Sequence, residues 1–326
     1  MPLEQPQARI SLNGQYIYGL LGLDVQSSSA FIAGRFCLKF AVGFSSSLTI
    51  DEFISFDGGF VSIELADNSY SYVEVMTGYV ENVGFDLLEN TVTLQGRDLT
   101  SRLIDASIDQ SFVNQSASDI AENIAQQYGL TPNVCKTSSL VGQYYQIDHT
   151  RSGLNIGSRT NTAWDLLCKL AILQDCTVFV TNNNLNFIPA NFDVQAYLNP
   201  SYFMELDVDL AGALPQSVQV RSWNSREKSA VEQSIGSGQT LKIIQPNLTN
   251  DKAQQYAVSY MNLIQQHQKI ITGKMPGDTS LKTMSAIRID GTGSSLDGCY
   301  FVESLRRRLN NREGFVQIMR ASAVSS

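Results

Sequence analysis

The sequence has 326 residues, of which 43% are hydrophobic and 17% charged, so it can form two or three domains with sizeable cores and is too apolar to be disordered. Its formal net charge of -8 argues against a free nucleic-acid-binding protein, because neutralising phosphates requires a basic face, and it disfavours a membrane-surface role. No stretch approaches the roughly 18 consecutive apolar residues of a membrane span, so no membrane anchoring is expected.

Charge is unevenly distributed along the chain. Residues 1–110 carry 5 basic and 14 acidic side chains, residues 111–200 carry 4 and 6, and residues 201–326 carry 14 and 11. The net charges of these parts are therefore -9, -2 and +3. Such an asymmetry suits a stacked assembly with a polarity, although solvated faces of differing sign explain it equally well.

The cysteines are an odd number at wide spacings, in a chain long enough to fold without disulfides. They are predicted to be reduced and mostly buried. The N-terminal residues do not have the basic and apolar pattern of a signal peptide, so synthesis and assembly in the cytoplasm are expected. The five cysteines are Cys37, Cys135, Cys168, Cys176 and Cys299.

The first hundred residues alternate between apolar and polar side chains in the manner of β-strands. Examples are Val61–Leu65, Tyr72–Val75 and Thr91–Leu94, which Gly, Asn and Asp turn signals separate. Short strands at this spacing predict a barrel or a sandwich. Asp98 then is a predicted N-cap for a short helix.

The middle third has the periodicity of helices. Ser116 begins a capping-box sequence, and apolar side chains repeat every four residues from there until Gly129. A second helix is predicted to begin near residues 160–161, and the strands Cys176–Val180 and Leu185–Ile188 form a hairpin after it. This part is therefore predicted to be a small α/β domain.

The last third returns to strands. After Pro189 the periodicity weakens, and the stretch to Pro215 is interpreted as a connection back from the middle part. Alternation resumes at Val218–Trp223, and from about Asn250 to Lys269 one helix carries a broad apolar stripe that must pack on a sheet. Three further predicted strands are Ala286–Ile289, Tyr300–Leu305 and Gly314–Met319.

The order of these elements predicts a mainly β protein with α+β content. Two strand-rich domains, predicted to be β-barrels, at residues 1–110 and 201–326, flank a small α/β middle domain at residues 111–200. The second barrel domain includes the long helix. We hypothesise that the two outer domains are two copies of one kind of barrel.

The residue types that would carry chemistry do not form recognisable sites. No serine has the G-x-S-x-G elbow that would let His149 or His267 serve a triad, and a polar loop and a helix end explain these histidines better. Cys168 and Cys176 lack the spacing of zinc ligands. The Gly291–Gly293 segment is predicted to be a hairpin turn, because strands flank it where a dinucleotide loop would need a helix. No catalytic residue, cofactor or metal is predicted.

The only basic cluster is Arg306-Arg307-Arg308. In a strand, Arg306 and Arg308 point to one face and Arg307 to the other. The cluster suits contact with an acidic patch on a neighbouring subunit, although an edge strand guarded by charge is an equally good explanation. The basic pair Arg226 and Lys228 is a further interface candidate.

Short strand-and-turn motifs follow one another along roughly residues 8 to 322. Met76–Val80 precedes the run Gly96-Arg97-Asp98-Leu99, and the helical middle part comes next. Pro276-Gly277-Asp278 and the run Asp297-Gly298-Cys299-Tyr300 complete the series. In this order they resemble the late-control gene D family of phage tail hub proteins, which is related to the N-terminal region of the valine-glycine repeat spike proteins of type VI secretion.

The chain departs from this family at one turn. The resemblance implies a glycine ahead of the strand that begins at Ala286, and this sequence has Met284 and Ser285 there. The geometry of that turn is therefore in question.

The resemblance implies a structural hub of a contractile tail baseplate. In such a hub each subunit supplies two tube-like domains, so a homotrimer presents six and adapts a six-fold tail tube to a three-fold central spike. The implied partners are the spike, the tail tube or its initiator and the baseplate wedge proteins, and DNA only passes through the lumen. The implied location is the virion, after assembly in the host cytoplasm. The acidic first third suggests an acidic lumen.

Other functions fit the sequence less well but stay open. A tailocin or another injection machine needs the same kind of hub. A peptidoglycan-degrading tail protein would need a catalytic site. A glycan-binding middle domain would need an exposed Trp164, whereas its position on the apolar stripe of a predicted helix places it in the core.

Overall fold

The computed structural model describes residues 7–28, 32–43, 48–67, 71–108, 112, 114–138, 140, 142–145, 150–153, 162–224 and 228–324. Within these residues lie 21 β-strands and five α-helices. The prediction of a mainly β protein with some helix is confirmed. None of these helices is long and apolar enough to cross a membrane.

The first part of the chain folds into seven strands around one apolar core. Side chains alternate between core and surface along the strands, as the sequence pattern predicts, and Leu12, Leu38 and Ile63 are fully buried. The elements are β1 (Gln7–Leu12), β2 (Gln15–Ile17), β3 (Leu20–Ser28), β4 (Arg35–Ala41), α1 (Ile50–Ile54), β5 (Phe60–Ala66), β6 (Val73–Asp86) and β7 (Thr91–Asp98).

The middle part packs three helices against a small sheet around a second core. The predicted capping box at Ser116 is present, and Thr162 caps the following long helix, while residues 160–161 lie outside the described residues. The elements are α2 (Thr100–Asp105), α3 (Ala117–Gln127), β8 (Thr131–Val134), β9 (Gly142–Tyr145), β10 (Thr150–Gly153), α4 (Ala163–Leu173), β11 (Cys176–Thr181) and β12 (Asn184–Pro189). The sheet order is β11-β12-β8, and β9 pairs with β10.

The last part contains two layers with separate cores. One layer is a strand-rich body, and the other is a three-stranded sheet, in the order β16-β15-β17, that α5 covers. The elements are β13 (Val194–Leu198), β14 (Glu205–Leu210), β15 (Ser217–Asn224), β16 (Ser229–Gly236), β17 (Thr240–Ile244), α5 (Asn250–Gln266), β18 (Lys269–Pro276), β19 (Ala286–Ile289), β20 (Gly298–Asn310) and β21 (Gly314–Ala323).

The stretch between Pro189 and Pro215 is more than a connection, which corrects the interpretation from its weak periodicity. It contains β13 and β14, joined by a 3-10 turn at Pro200–Tyr202. Both strands pair on one side only, so most of their side chains stay partly or fully exposed and the alternation that marks a half-buried strand is weak.

One sheet joins the first and last parts of the chain. Its strands run in the order β14-β18-β21-β20-β3-β4-β7-β6-β5-β1-β2, and β19 and β13 extend from β20. The joint is the antiparallel pair of β3 and β20, in register from Ser28 opposite Ser304 to Gly22 opposite Asn310. The two strand sets keep separate apolar cores, and neither closes into a hydrogen-bonded barrel among the described strands.

The apolar stripe of α5 packs on a sheet, as predicted. Ala253, Tyr256 and Ala257 of the helix are buried against Val218 and Val220 of β15. Thr249 caps the helix, accepting a hydrogen bond from the N–H of the third helical residue.

Candidate assembly interface

Two of the three terminal strands of the large sheet, β2 and β14, form open edges beside exposed apolar side chains, and β13 is the third terminal strand among the described residues. The edge at β2 has Tyr16 within the strand and Tyr18 just after it, and Tyr18 is 68% exposed. The edge at β14 has Met204 just before the strand and Leu210 at its end, and Leu210 is also 68% exposed. Open strand edges bind further strands readily, and exposed apolar side chains beside them mark surfaces that an assembly covers.

The outer members of the arginine cluster bond within the chain, at the joint between β3 and β20. Arg306 donates from Nε to Oδ1 of Asp24 at 2.8 Å and from Nη2 to Oδ2 at 2.5 Å. Arg308 lies 3.4 Å from Glu313 and 3.9 Å from the same Asp24. The acidic groups that these arginines meet here therefore belong to this chain, and the ion pairs reinforce the joint of the large sheet.

Arg307 faces the other way, as the strand geometry predicts, and is 5% exposed. Its Nη2 donates to the backbone carbonyls of Leu281, at 2.5 Å, and Asp278, at 3.5 Å. Burial lowers the pKa of Arg307 to about 10, although Asp278 opposes this shift. The choice of Arg307 as a surface contact is therefore corrected, because its side chain lies inside the protein.

Only one residue of the basic pair Arg226 and Lys228 lies among the described residues. Lys228 is an exposed turn residue with a φ of +50°, next to the start of β16, and Arg226 lies outside the described residues. Contact of either residue with a neighbouring subunit stays a prediction.

The Gly96-Arg97-Asp98-Leu99 motif ties β7 to its neighbours. A Cβ at Gly96 would come within 1.9 Å of the carbonyl oxygen of Tyr79, so only glycine fits this crossing of β6 and β7. Arg97 pairs with Glu81 and Asp105, both on the same surface, and Leu99 is buried in the middle core.

The carboxylate of Asp98 accepts hydrogen bonds from two backbone N–H groups. Its Oδ2 accepts the N–H of Gly34 at 2.7 Å, and its Oδ1 accepts the N–H of Thr100 at 3.0 Å. The N-cap position itself is Leu99, one residue later than predicted, yet Asp98 still bonds to the first turn of α2. Burial raises the pKa of Asp98 to about 6, and these two N–H groups limit the shift.

The Pro276-Gly277-Asp278 motif lies at the end of β18, where the chain turns beside β21. The N–H of Gly277 donates to the carbonyl of Phe315 at 2.9 Å, and a Cβ at this glycine would lie 2.2 Å from the ring of Phe315. Asp278 accepts from both the N–H and the hydroxyl of Ser280. The motif therefore fixes the segment whose carbonyls hold Arg307.

The Asp297-Gly298-Cys299-Tyr300 motif closes the turn between β19 and β20. Oδ1 of Asp297 accepts the N–H of Thr292 at 2.8 Å and its hydroxyl at 2.6 Å, and these bonds lower the pKa of Asp297. The hydroxyl of Tyr300 donates to the carbonyl of Leu296 at 2.5 Å. The Gly291–Gly293 segment is thus a hairpin turn, as predicted.

The residues considered for chemistry take structural positions. His267 is the C-cap of α5, with Nδ1 2.8 Å from the carbonyl oxygen of Leu263 and Nε2 3.5 Å from Glu303. Trp164 is buried in the middle core, which contradicts its use as an exposed glycan platform. His149 lies outside the described residues.

None of the five cysteines forms a disulfide, and only Cys168 is buried, fewer than predicted. The sulfur atoms of Cys135 and Cys176 lie 3.4 Å apart, a proximity that could not be predicted from the sequence because it depends on the pairing of β8 with β12. Burial raises the pKa of Cys176 to about 12, so this thiol stays protonated. The described residues contain no cluster of three or more His, Cys, Asp or Glu placed to hold a metal ion.

No family model matches the chain, and no curated protein matches it. Solved structures match it over nearly its whole length. A tail protein from Neisseria meningitidis superposes with a TM-score of 0.75 at 13% identity, covering 98% of this chain and 96% of that chain. A 43 kDa tail protein of prophage MuSo2 from Shewanella oneidensis has a TM-score of 0.74 at 17% identity, covering 97% and 98%. The chain has the fold of phage tail proteins.

A secretion protein shares this fold as well. The c3393 protein of E. coli, a component of the type VI secretion system with structural similarity to the T4 tail proteins gp27 and gp5, has a TM-score of 0.64 at 10% identity. The superposition covers 97% of this chain and 77% of that one. At the level of the fold, these likenesses confirm the resemblance that the sequence motifs predicted.

Proposed function

We propose that the chain is a non-enzymatic structural subunit of a contractile phage tail, the hub of its baseplate. The observation that carries this proposal is the single sheet that joins two strand-rich cores through the pair of β3 and β20. One chain therefore presents two adjacent strand-rich units. Three chains present six such units and three identical interfaces, which suits a part between a six-fold tube and a three-fold spike.

The ring closes, in this proposal, through the open edges at β2 and β14. The two edges differ, so the proposed contact is head-to-tail, and a rotation of one third of a turn between neighbouring copies closes the ring after three copies. The exposed Tyr18 on one edge and the exposed Leu210 on the other support this contact, because both become covered when strands pair between chains.

The partners follow from the same geometry. The spike binds on the three-fold side, the tail tube or its initiator on the six-fold side, and wedge proteins around the rim. DNA only passes through the lumen, for which the net charge of -9 in residues 1–110 supports an acidic lining. The proposed location is the virion, after assembly in the host cytoplasm.

The solution mass of the purified chain tests the proposal. We expect a species of three times 35.9 kDa by light scattering, in equilibrium with monomer. Leu210→Lys places a charge at the β14 edge and is expected to shift the equilibrium to monomer by at least about tenfold, because burying an unpaired charge is unfavourable by more than about 1.4 kcal/mol.

Ile244→Lys is the matched control for that variant. Ile244 is similarly exposed but lies on the separate sheet of β15, β16 and β17, so its substitution should leave the mass unchanged. A wild-type chain that stays monomeric at high concentration, or a Leu210→Lys variant with an unchanged mass, would contradict ring closure at this edge.

A further inference from the structure

Arg307 is a buried cation without a carboxylate partner. The two arginines beside it on β20 are more exposed, and they bond to Asp24 and Glu313. No ion pair within 4.0 Å joins Arg307 to a carboxylate of the described residues, and Asp278, whose charge raises the pKa of Arg307, acts on it without such a contact. This arrangement is the reverse of the usual one, in which the buried charge is the one that is paired.

The bonds that Arg307 makes leave part of its charge without a partner. Only Nη2 donates, to two backbone carbonyls, and the buried Nε has no acceptor. Carbonyl dipoles offset a full charge incompletely, and a buried ion without a counter-ion is strongly destabilising. At neutral pH the guanidinium stays protonated, because burial lowers its pKa only to about 10.

A second buried polar side chain stands next to the guanidinium. Gln317 of β21 is directly opposite Arg307 in the strand register, so both side chains leave the sheet on the same face. Gln317 is fully buried, and neither its Nε2 nor its Oε1 has a hydrogen-bond partner. Two unsatisfied N–H donors, on Arg307 and Gln317, therefore lie side by side.

The Arg307 side chain lines a cleft of about 780 Å³ between the first, middle and last parts of the chain, whereas the fully buried Gln317 does not reach it. Arg307 lines the cleft together with Lys282 and with Thr77, a buried residue whose hydroxyl has no partner. Three carboxylates line it as well, those of Asp98, Glu74 and Asp193. The N–H groups of Gly34 and Thr100 donate to Asp98, the hydroxyl of Ser62 donates to Glu74, and Asp193 is exposed to solvent. The space far exceeds the roughly 30 Å³ share of one water molecule, so a small polyatomic ion fits.

We propose that this cleft binds a small oxyanion, a carboxylate or a phosphate, against Arg307. The ion supplies a counter-charge in the cleft and accepts from the Arg307 guanidinium, and a planar guanidinium suits an oxyanion because it donates along several directions. The exposed Lys282 attracts the ion to the mouth of the cleft.

Thermal unfolding in sodium phosphate, sodium acetate and sodium chloride at equal ionic strength tests this binding. We expect phosphate, acetate or both to raise the unfolding midpoint of the wild-type protein along a saturating curve that chloride does not reproduce. At a concentration 100 times the dissociation constant, the folding equilibrium constant rises about 100-fold. The salt that acts identifies the ion, and a midpoint that follows ionic strength alone in all three salts overturns the proposal.

Variants separate a specific site from a general salt effect. Arg307→Met should abolish the saturating rise, while Arg306→Met, with the same loss of charge on the neighbouring exposed position, should retain it. Arg307→Lys keeps the charge but not the planar donor geometry, and we expect at least about tenfold weaker binding. An Arg307→Met protein that keeps the full rise contradicts the site.

A measurement on the wild type covers the case in which the Arg307 variants fail to fold. The ³¹P resonance of inorganic phosphate should broaden in the presence of the folded protein, and added acetate should reverse the broadening by competition if both ions share the site. A resonance that stays sharp at every phosphate concentration, with no effect of acetate on the unfolding midpoint, overturns the proposal without any variant.

Discussion

Met284 holds a left-handed backbone conformation, with a φ of +62°, at the turn before β19. The family resemblance implies a glycine at this turn, and glycine adopts such a φ without the steric conflict of a Cβ. The turn is kept nonetheless, because the N–H of Met284 donates to the carbonyl of Val302 at 2.9 Å and the N–H of Val302 donates to Ser285.

Met284→Gly should therefore stabilise the protein by about 1 kcal/mol, because the relief of the left-handed strain exceeds the extra entropy of glycine in the unfolded chain. Met284→Ala removes the same side-chain atoms beyond Cβ but keeps the strain, so it is the matched control. Urea unfolding of the three proteins measures the difference. An alanine variant as stable as the glycine variant would show that the backbone conformation does not limit stability here.

Asp98 gives the protein a pH dependence with a defined sign. Its pKa is raised by burial from 3.8 to about 6, so the folded chain holds the proton more tightly than the unfolded chain. The stability from this group is fully present below about pH 3.8 and is lost as the pH rises through about 6. Relative to Asp98→Asn, the wild type should lose about 2 kcal/mol of unfolding free energy between about pH 4 and pH 7.5.

The control for that measurement is Asp297→Asn. Hydrogen bonds from Thr292 lower the pKa of Asp297, so its contribution has the opposite sign and is lost as the pH falls. Chemical unfolding at both pH values gives the two differences. Equal pH profiles for the wild type and Asp98→Asn would contradict the conclusion that burial raises the pKa of Asp98.

At the scale of single residues, the sequence predicts helix caps and turns well. It predicts poorly which charged side chains are buried. Ser116 and Thr249 are recognisable because a capping side chain bonds to N–H groups only two or three residues away. The environment of Arg307 depends on Leu281, Asp278 and Gln317, which other strands and turns bring to it. No local pattern in the sequence contains that information.

Among the elements, β6 and β7 are held unusually close where their register shifts. Gly78 and Gly96 both face the carbonyl oxygen of a residue on the opposite strand, at Arg97 and Tyr79, with no room for a Cβ. The bulge between Val80 and Asn82 bends the long β6 strand at this point.

Gly96→Ala should destabilise the protein by about 1–3 kcal/mol, because the new methyl group forces the two strands apart. Gly84→Ala, on the other end of β6, is the matched control. The nearest atom to its added Cβ lies 3.9 Å away, so we expect a change within about 0.5 kcal/mol. Unfolding midpoints in urea compare the two variants, and equal effects would contradict the close approach at Gly96.

The sequence predicts central elements better than edge elements. The hairpin of β11 and β12 and the helix α5 lie where apolar periodicity and turn residues predict them, since one face of each is buried. β13 and β14 were not predicted, because edge strands that pair on one side leave a weaker pattern. The sequence also does not show that β15, β16 and β17 form a sheet separate from the large one, with its own core under α5.

In the whole molecule, the pairing of β3 with β20 matters most. These strands are about 280 residues apart in sequence, and Arg306 and Asp24 bridge the same joint with a separation of 282 residues. The motif order along the chain indicated the fold of tail proteins, which the superpositions on solved tail proteins confirm. Which strands join the two cores could not be predicted, because β3, unlike the other neighbours of β20, is distant from it in sequence.

We propose that three copies form one ring of six strand-rich units. Electron micrographs of the purified protein at high concentration, averaged in projection along the ring axis, test this assembly. We expect a closed ring with six similar lobes and true three-fold symmetry, in which neighbouring copies meet at the β2 and β14 edges. Single particles of one chain, or an assembly in which these two edges stay exposed, would contradict it.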